Sequence, residues 1–122
     1  MSHEAFIHSV VHAFYDRARE DVLIGYHFAR IADFDTHMPR IVAFWEAQLL
    51  GTIHKFSPPL DLINAHVPLR IHRGEVGRWM KLFTEVLAQT PGPEELKLLW
   101  REKLTRFEQV FLQTPLLFSS SG

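Results

Sequence analysis

The chain predicts an all-α single domain, on three observations. Apolar side chains recur at three- and four-residue steps along most of its length. No stretch alternates apolar and polar residues with the period of two that a half-buried strand needs. Glycine and proline gather at a few boundaries between the periodic segments. At 122 residues the chain has the size of one domain with a core of its own. The domain is expected over 1–118, with 119–122 as a serine-rich frayed tail.

The elements follow in order. Residues 3–19 read as a helix, because Phe6, Ile7, Val10, Val11, Phe14, Tyr15 and Ala18 form one apolar stripe. Asp21 can cap a short second helix that holds Val22, Leu23, Tyr26 and Phe28. Asp33 and Asp35 offer caps for a third helix, which places Pro39 in its first turn, where a missing N–H costs little. That helix runs to Leu50 and stops at Gly51. Residues 51–73 are the least regular. Pro58, Pro59 and Pro68 forbid a long helix, yet Leu60, Leu62, Ile63, Val67, Leu69 and Ile71 are apolar, so the segment is expected to pack against something. Gly74 and Glu75 begin a fourth helix with Val76, Trp79, Met80, Phe83, Val86 and Leu87 on one face. Thr90-Pro91-Gly92-Pro93 breaks it, and a last helix spans 93–113 with Leu96, Leu99, Trp100, Leu104, Phe107, Val110 and Phe111 inward.

Three sparse signals in fixed order carry the chemistry. Phe14-Tyr15 sits on the first helix. His37 opens the third, with Ile41, Phe44 and Trp45 on the same face four, seven and eight residues on. Eight residues of helix rise ~12 Å, about the width of a porphyrin. His66 lies in the proline-flanked loop thirteen residues before Trp79. Together they describe a pocket with one histidine above a flat cofactor and another below it. Imidazole is the commonest side-chain ligand to metals, and a single histidine holds the iron of globin-type haem. Taken singly, each residue also fits a blander role: His37 as a half-exposed helix-start histidine, His66 as a loop histidine, Tyr15 as a core-edge ring with its hydroxyl in water. His8 and His12, four apart, read as a surface helix face rather than a zinc-protease motif. His54, Lys55, Arg70, His72 and Arg73 form a modest basic cluster, read either as solvated surface or as neighbours of an anionic cofactor edge.

Composition narrows the function classes. Thirteen basic and fourteen acidic side chains give a net charge of −1, with no basic face for nucleic acid. There is no cysteine, hence no disulfide, zinc-thiolate site or thioether-linked haem, which fits a reducing compartment. No run reaches the ~18–20 apolar residues of a membrane span, and the N-terminus lacks a signal-peptide plan. A cytoplasmic protein without membrane or nucleic-acid partners is expected. There is no phosphate-binding glycine loop, no nucleophile motif and no paired-carboxylate site.

The stretches AFYDRAREDVLIGYHF (13–28), DFDTHMPRIVAFWEAQLLG (33–51) and AHVPLRIHRGEVGRWMKLF (65–83) resemble the truncated haemoglobins, whose shortened globin fold is a two-over-two helical sandwich around haem b. They cover about half the chain. The glycine pairs that mark the first and second groups of that family are missing. With His37 and Phe44-Trp45 present, the resemblance is to group III, while HVPLRI leans toward group II.

The resemblance implies a role for each matching residue. His66 matches the proximal iron ligand. Tyr15, His37 and Trp79 match the distal, ligand-stabilising positions. Phe14, Phe28, Ile41, Phe44 and Trp45 match the walls against the cofactor, and Arg40 a basic position near a propionate. Arg70, Ile71 and Phe83 complete the expected cofactor-binding set. The implied function is a haem b protein that binds dioxygen, nitric oxide, carbon monoxide or peroxide. Tight, slow binding would suit redox detoxification of nitric oxide or peroxide, fed by a reductase, better than oxygen transport. Two alternatives stay open: a haem sensor or electron carrier with His37 as sixth ligand, and a non-haem helical interaction module whose aromatics are plain core.

Overall fold

A computed structural model describes residues 2–29, 33–51, 66 and 69–114. Helix α1 spans His3–Glu20 and begins where the Ser2 hydroxyl accepts the amide of Ala5 at 3.0 Å. Its buried residues, Phe6, Ile7, Val10, Val11, Phe14 and Ala18, are those of the predicted stripe, with Tyr15 partly buried at its edge.

Asp21 ends α1 and organises the turn that follows. One carboxylate oxygen accepts the amides of Leu23 (3.0 Å) and Ile24 (3.1 Å), and Arg78 donates to the other through Nε at 3.0 Å. The second helix is therefore shorter than expected: α2 covers only Gly25–Phe28. Val22 and Leu23, assigned to that helix from the sequence, lie in the turn and are 91% and 55% exposed, while Ile24 and His27 take the buried positions. Gly25 allows α2 to fold back onto α1, since a Cβ there would stand 2.8 Å from the Arg19 carbonyl oxygen.

Helix α3 spans Phe34–Leu50. Asp33 is its cap, accepting the Thr36 amide at 3.2 Å and the Thr36 hydroxyl at 2.6 Å. Because the helix starts directly after Asp33, Pro39 lies beyond the first turn, contrary to the sequence expectation. The helix tolerates it there at the cost of one backbone hydrogen bond. Gly51 closes α3 in the left-handed region at φ 69°.

Helix α4, Arg73–Gln89, starts as the Glu75 carboxylate accepts the His72 amide at 2.7 Å. Helix α5, Glu94–Leu112, follows the Thr90–Pro93 break. Among the described residues these five helices are the elements, and none is long and apolar enough to cross a membrane.

Helix α1 packs on α2, α3 and α4, while α5 packs on α4 and α3, closing the four long helices around one core. An ion pair from Arg17 to Glu85 (3.0 Å) ties α1 to α4 at the surface. The last helix differs from the sequence reading at Val110, which is 40% exposed rather than inward. Of the irregular segment, Leu69 packs on the core and Ile71 is buried. The expected packing of Leu60, Leu62, Ile63 and Val67 lies outside the described residues, as do His54, Lys55 and the tail at 119–122.

Candidate functional site

The helices converge on a cavity of about 230 Å³ that opens to the surface. Phe14 and Tyr15 of α1, His27 and Phe28 of α2, His37, Ile41, Phe44 and Trp45 of α3, and Trp79, Met80 and Phe83 of α4 line it. Leu104, Phe107 and Phe111 of α5 close the far wall, and His66 and Leu69 come from the segment before α4. A mostly aromatic wall with few polar groups is the general design of a small-molecule site.

The rings form an arc of contacts. His37 lies 6.1 Å from Tyr15, measured between ring centroids, and Tyr15 lies 5.3 Å from Phe28. Phe28 is 5.3 Å from Trp79, and Trp79 is 5.3 Å from His66. His66 also rests 5.1 Å from Phe111. Imidazoles thus stand at the two ends of a five-ring arc along one cavity. Local sequence explains the placement. Tyr15 follows Phe14 at the edge of the α1 stripe, and His37 lies in the first turn of α3, one turn before Ile41.

Burial sets the protonation of the two polar tips on the Tyr15–His37 side. It pushes the Tyr15 phenol above its ordinary value, so the hydroxyl keeps its proton and remains a donor. It lowers His37 below the ordinary histidine value, and the Arg40 charge adds to the effect. His37 is therefore a neutral imidazole at neutral pH.

A second polar group in the wall was not singled out from the sequence. His27 is 2% exposed. Its Nε2 stands 3.0 Å from Glu75 Oε1, and the Tyr26 hydroxyl donates to the other Glu75 oxygen. Burial pushes the Glu75 carboxyl upward, but hydrogen bonds from Tyr26, His27 and the His72 amide outweigh it and hold the group below the usual range. Glu75 is thus an ionised acceptor facing His27 Nε2. His27 Nδ1 is buried and has no hydrogen-bond partner among the described residues. A buried polar atom in that condition costs about 1–3 kcal/mol.

Of the residues expected at the site, Phe14, Tyr15, Phe28, His37, Ile41, Phe44, Trp45, His66, Trp79 and Phe83 line the cavity. Arg40, Arg70 and Ile71 do not. Arg40 is half-buried one turn from His37, Arg70 is exposed at φ 53°, and Ile71 is buried elsewhere in the core. Trp79 has Phe14, Phe28 and His66 as ring neighbours. Met80, Leu104, Phe107 and Phe111 join the lining as apolar positions whose periodicity marked them only as core, and Leu69 joins it from the irregular segment. His27 and Glu75 are 48 residues apart, and no local pattern pairs them.

The donor set suits an iron porphyrin: an apolar, ring-lined space, one imidazole at each end of the arc, and no thiolate to compete. Among the described residues no cluster of three or more histidine and carboxylate side chains could hold a bare metal ion.

One solved structure, "Crystal structure of group III truncated hemoglobin from Campylobacter jejuni", aligns over 100% of this chain and 95% of that one, with a TM-score of 0.80 and 23% sequence identity. No family model and no curated protein matches the chain. The likeness shows the fold: the chain has the truncated-haemoglobin architecture, all-α among the described residues.

Proposed function

We propose that the chain is a haem protein of the truncated-haemoglobin type, with His66 as the residue that would hold the iron. The observation that carries this reading is the arc from His37 through Tyr15, Phe28 and Trp79 to His66 along one cavity. The shared fold supports it. Haem b is the form expected, because the chain has no cysteine for a thioether link. When bound, the group would supply an iron that can take a diatomic ligand or peroxide.

The chain's own residues do the rest. His66 offers a neutral imidazole nitrogen to the metal. Phe14, Phe28, Ile41, Phe44, Trp45 and Phe83 exclude water and press on the faces of the ring system. Tyr15 donates a hydrogen bond to a ligand that carries partial negative charge, with His37 and Trp79 as further donors. A hydrogen bond to a charged acceptor is worth ~1.5–3 kcal/mol, and ~1.4 kcal/mol is tenfold in affinity. Two such donors slow ligand release by orders of magnitude. That suits redox detoxification of nitric oxide or peroxide with a reductase, more than oxygen transport. Arg40 and Arg70 are proposed for the propionate edge.

A second reading draws on His37. Held neutral at the far end of the arc, it can itself ligate iron and exclude gas, as in a sensor or electron carrier.

Visible absorption of the haem-titrated protein in ferric, ferrous and carbon monoxide forms tests both. The proposal expects a Soret band at one haem per chain, lost or much reduced in His66→Ala. Sharp six-coordinate ferrous bands before gas is added would favour His37 ligation. A chain that develops no Soret band is a non-haem module, and an unchanged ferrous spectrum in His66→Ala removes that residue from the role.

A further inference from the structure

We propose that Glu75 is a positioning residue of the pocket: its carboxylate sets the register between the α2 wall and the segment that carries His66. The inference rests on the haem reading and deepens it. Its starting point is where the two carboxylate oxygens reach. Oε1 accepts the His72 amide at 2.7 Å and stands 3.0 Å from Nε2 of His27, and Oε2 accepts the Tyr26 hydroxyl. His72 ends the stretch that leads from His66 into α4. Tyr26 and His27 belong to α2, which carries Phe28 of the cavity wall. One side chain, only 11% exposed, therefore holds groups from two separate segments that both contribute to the pocket.

Trp79 joins the same parts in apolar terms. It lies one turn after Glu75 on α4, and its ring is 5.3 Å from Phe28 and 5.3 Å from His66. The wall is thus bridged twice, by rings at Trp79 and by polar contacts at Glu75. The two bridges act differently. Ring packing tolerates a range of offsets and tilts. Hydrogen bonds to a carboxylate are short, directional and roughly twice as strong as neutral ones.

Helix α2 needs such fixing. It has four residues, too few to hold itself by its own backbone bonds. Arg78 steadies the corner before it through Asp21 at 3.0 Å, but that bond does not extend to the His66 segment. Glu75 reaches both. A binding site works when its walls stay within about 0.5 Å of their places, and outer hydrogen bonds supply that precision.

The first test needs no haem. In Glu75→Gln, amide hydrogen exchange should quicken by about tenfold at His72 and, together with it, at His27 and Ala29 around α2, while α1 and α5 keep their rates. Quickening at His72 alone would make Glu75 a helix cap and nothing more. Quickening at α2 alone would leave the two segments uncoupled, and quickening throughout would mean a general loss of stability. Each of these overturns the inference, as does no change.

The second test uses the haem-loaded protein. Transfer of haem to excess apomyoglobin should be about tenfold faster or more in Glu75→Gln, and the iron–histidine stretching band of the ferrous form should shift or broaden. Glu85→Gln, which removes the surface ion pair with Arg17, should leave both as they are. Tyr26→Phe takes away one donor at the surface and keeps the test open if Glu75→Gln does not fold. Its haem loss should fall between those of the parent and Glu75→Gln, and the double variant should lose haem no faster than Glu75→Gln alone. Unchanged loss in Tyr26→Phe, additive losses in the double variant, or equal loss in Glu75→Gln and Glu85→Gln would each overturn the inference. A parent chain that takes up no haem defeats the haem reading and this inference together, whereas normal uptake with unchanged haem loss in Glu75→Gln defeats this inference alone.

Discussion

Around Phe6 and Trp100 the core is filled to contact, whereas around Tyr15, Trp79 and His66 similar rings enclose a cavity. Phe6 meets Trp100 edge-on at 6.1 Å, and both are fully buried. The loop before α5 is pressed so closely that a Cβ on Gly92 would stand 2.2 Å from the Phe6 ring. Trp45 and Phe83 touch Trp100 at 5.2 and 5.6 Å on this side and line the cavity on the other. One aromatic core therefore holds two regimes that share residues. The filled region is packed ring against ring; the lined region leaves an opening between its rings.

The contrast can be broken by mutation. The largest effect is expected in the filled region. Trp100→Ala should destabilise the chain by about 3–5 kcal/mol in urea unfolding, and Phe107→Ala, in the cavity wall of the haem-free chain, by clearly less. Equal losses would mean that the two regions are packed alike. Gly92→Ala should cost about 1–3 kcal/mol, because the Phe6 ring has to shift to admit a methyl group. A neutral result would show that the contact with Phe6 relaxes freely.

On the lined side the readout is function rather than stability. Tyr15→Phe should speed dioxygen dissociation by about tenfold or more, the value of one hydrogen bond to a charged ligand. An unchanged rate in stopped-flow exchange would assign that role to another donor.

The smallest effect concerns pH. His37 titrates below its ordinary value of 6.5 in the folded chain, so the unfolded chain takes up the proton first. Its contribution is fully present above pH 6.5 and is lost as pH falls through the lowered folded value. His12, lowered by burial and by His8, works in the same direction. The haem-free melting temperature should drop on mild acidification, and less so in His37→Leu. An identical drop in the variant would leave His37 out of the acid response.

The two regions were also unequally legible in the sequence. The filled core follows from period: Phe6, Ile7, Val10, Leu96 and Trp100 mark themselves by recurring every three or four residues. Period misleads at Val22 and Leu23, where the Asp21 carboxylate turns the chain before a helix can form, and at Val110 near the end of α5. The ends of the ring arc, His37 and His66, were legible through their spacing to Phe44-Trp45 and to Trp79. The His27–Glu75 pair was not, because its partners lie 48 residues apart and Glu75 looked like a helix-start residue. Glu75 fills that role too, through the His72 amide. A carboxylate that both caps a helix and clamps a histidine shows only its local half in a one-dimensional reading.

The most direct test of the central claim is a crystal structure of the chain loaded with haem. An iron bonded to a ring nitrogen of His66 is expected, with the porphyrin inside the cavity and Tyr15 and His37 across it from that bond. Iron bonded elsewhere, or a porphyrin bound outside the five-ring arc, would contradict it.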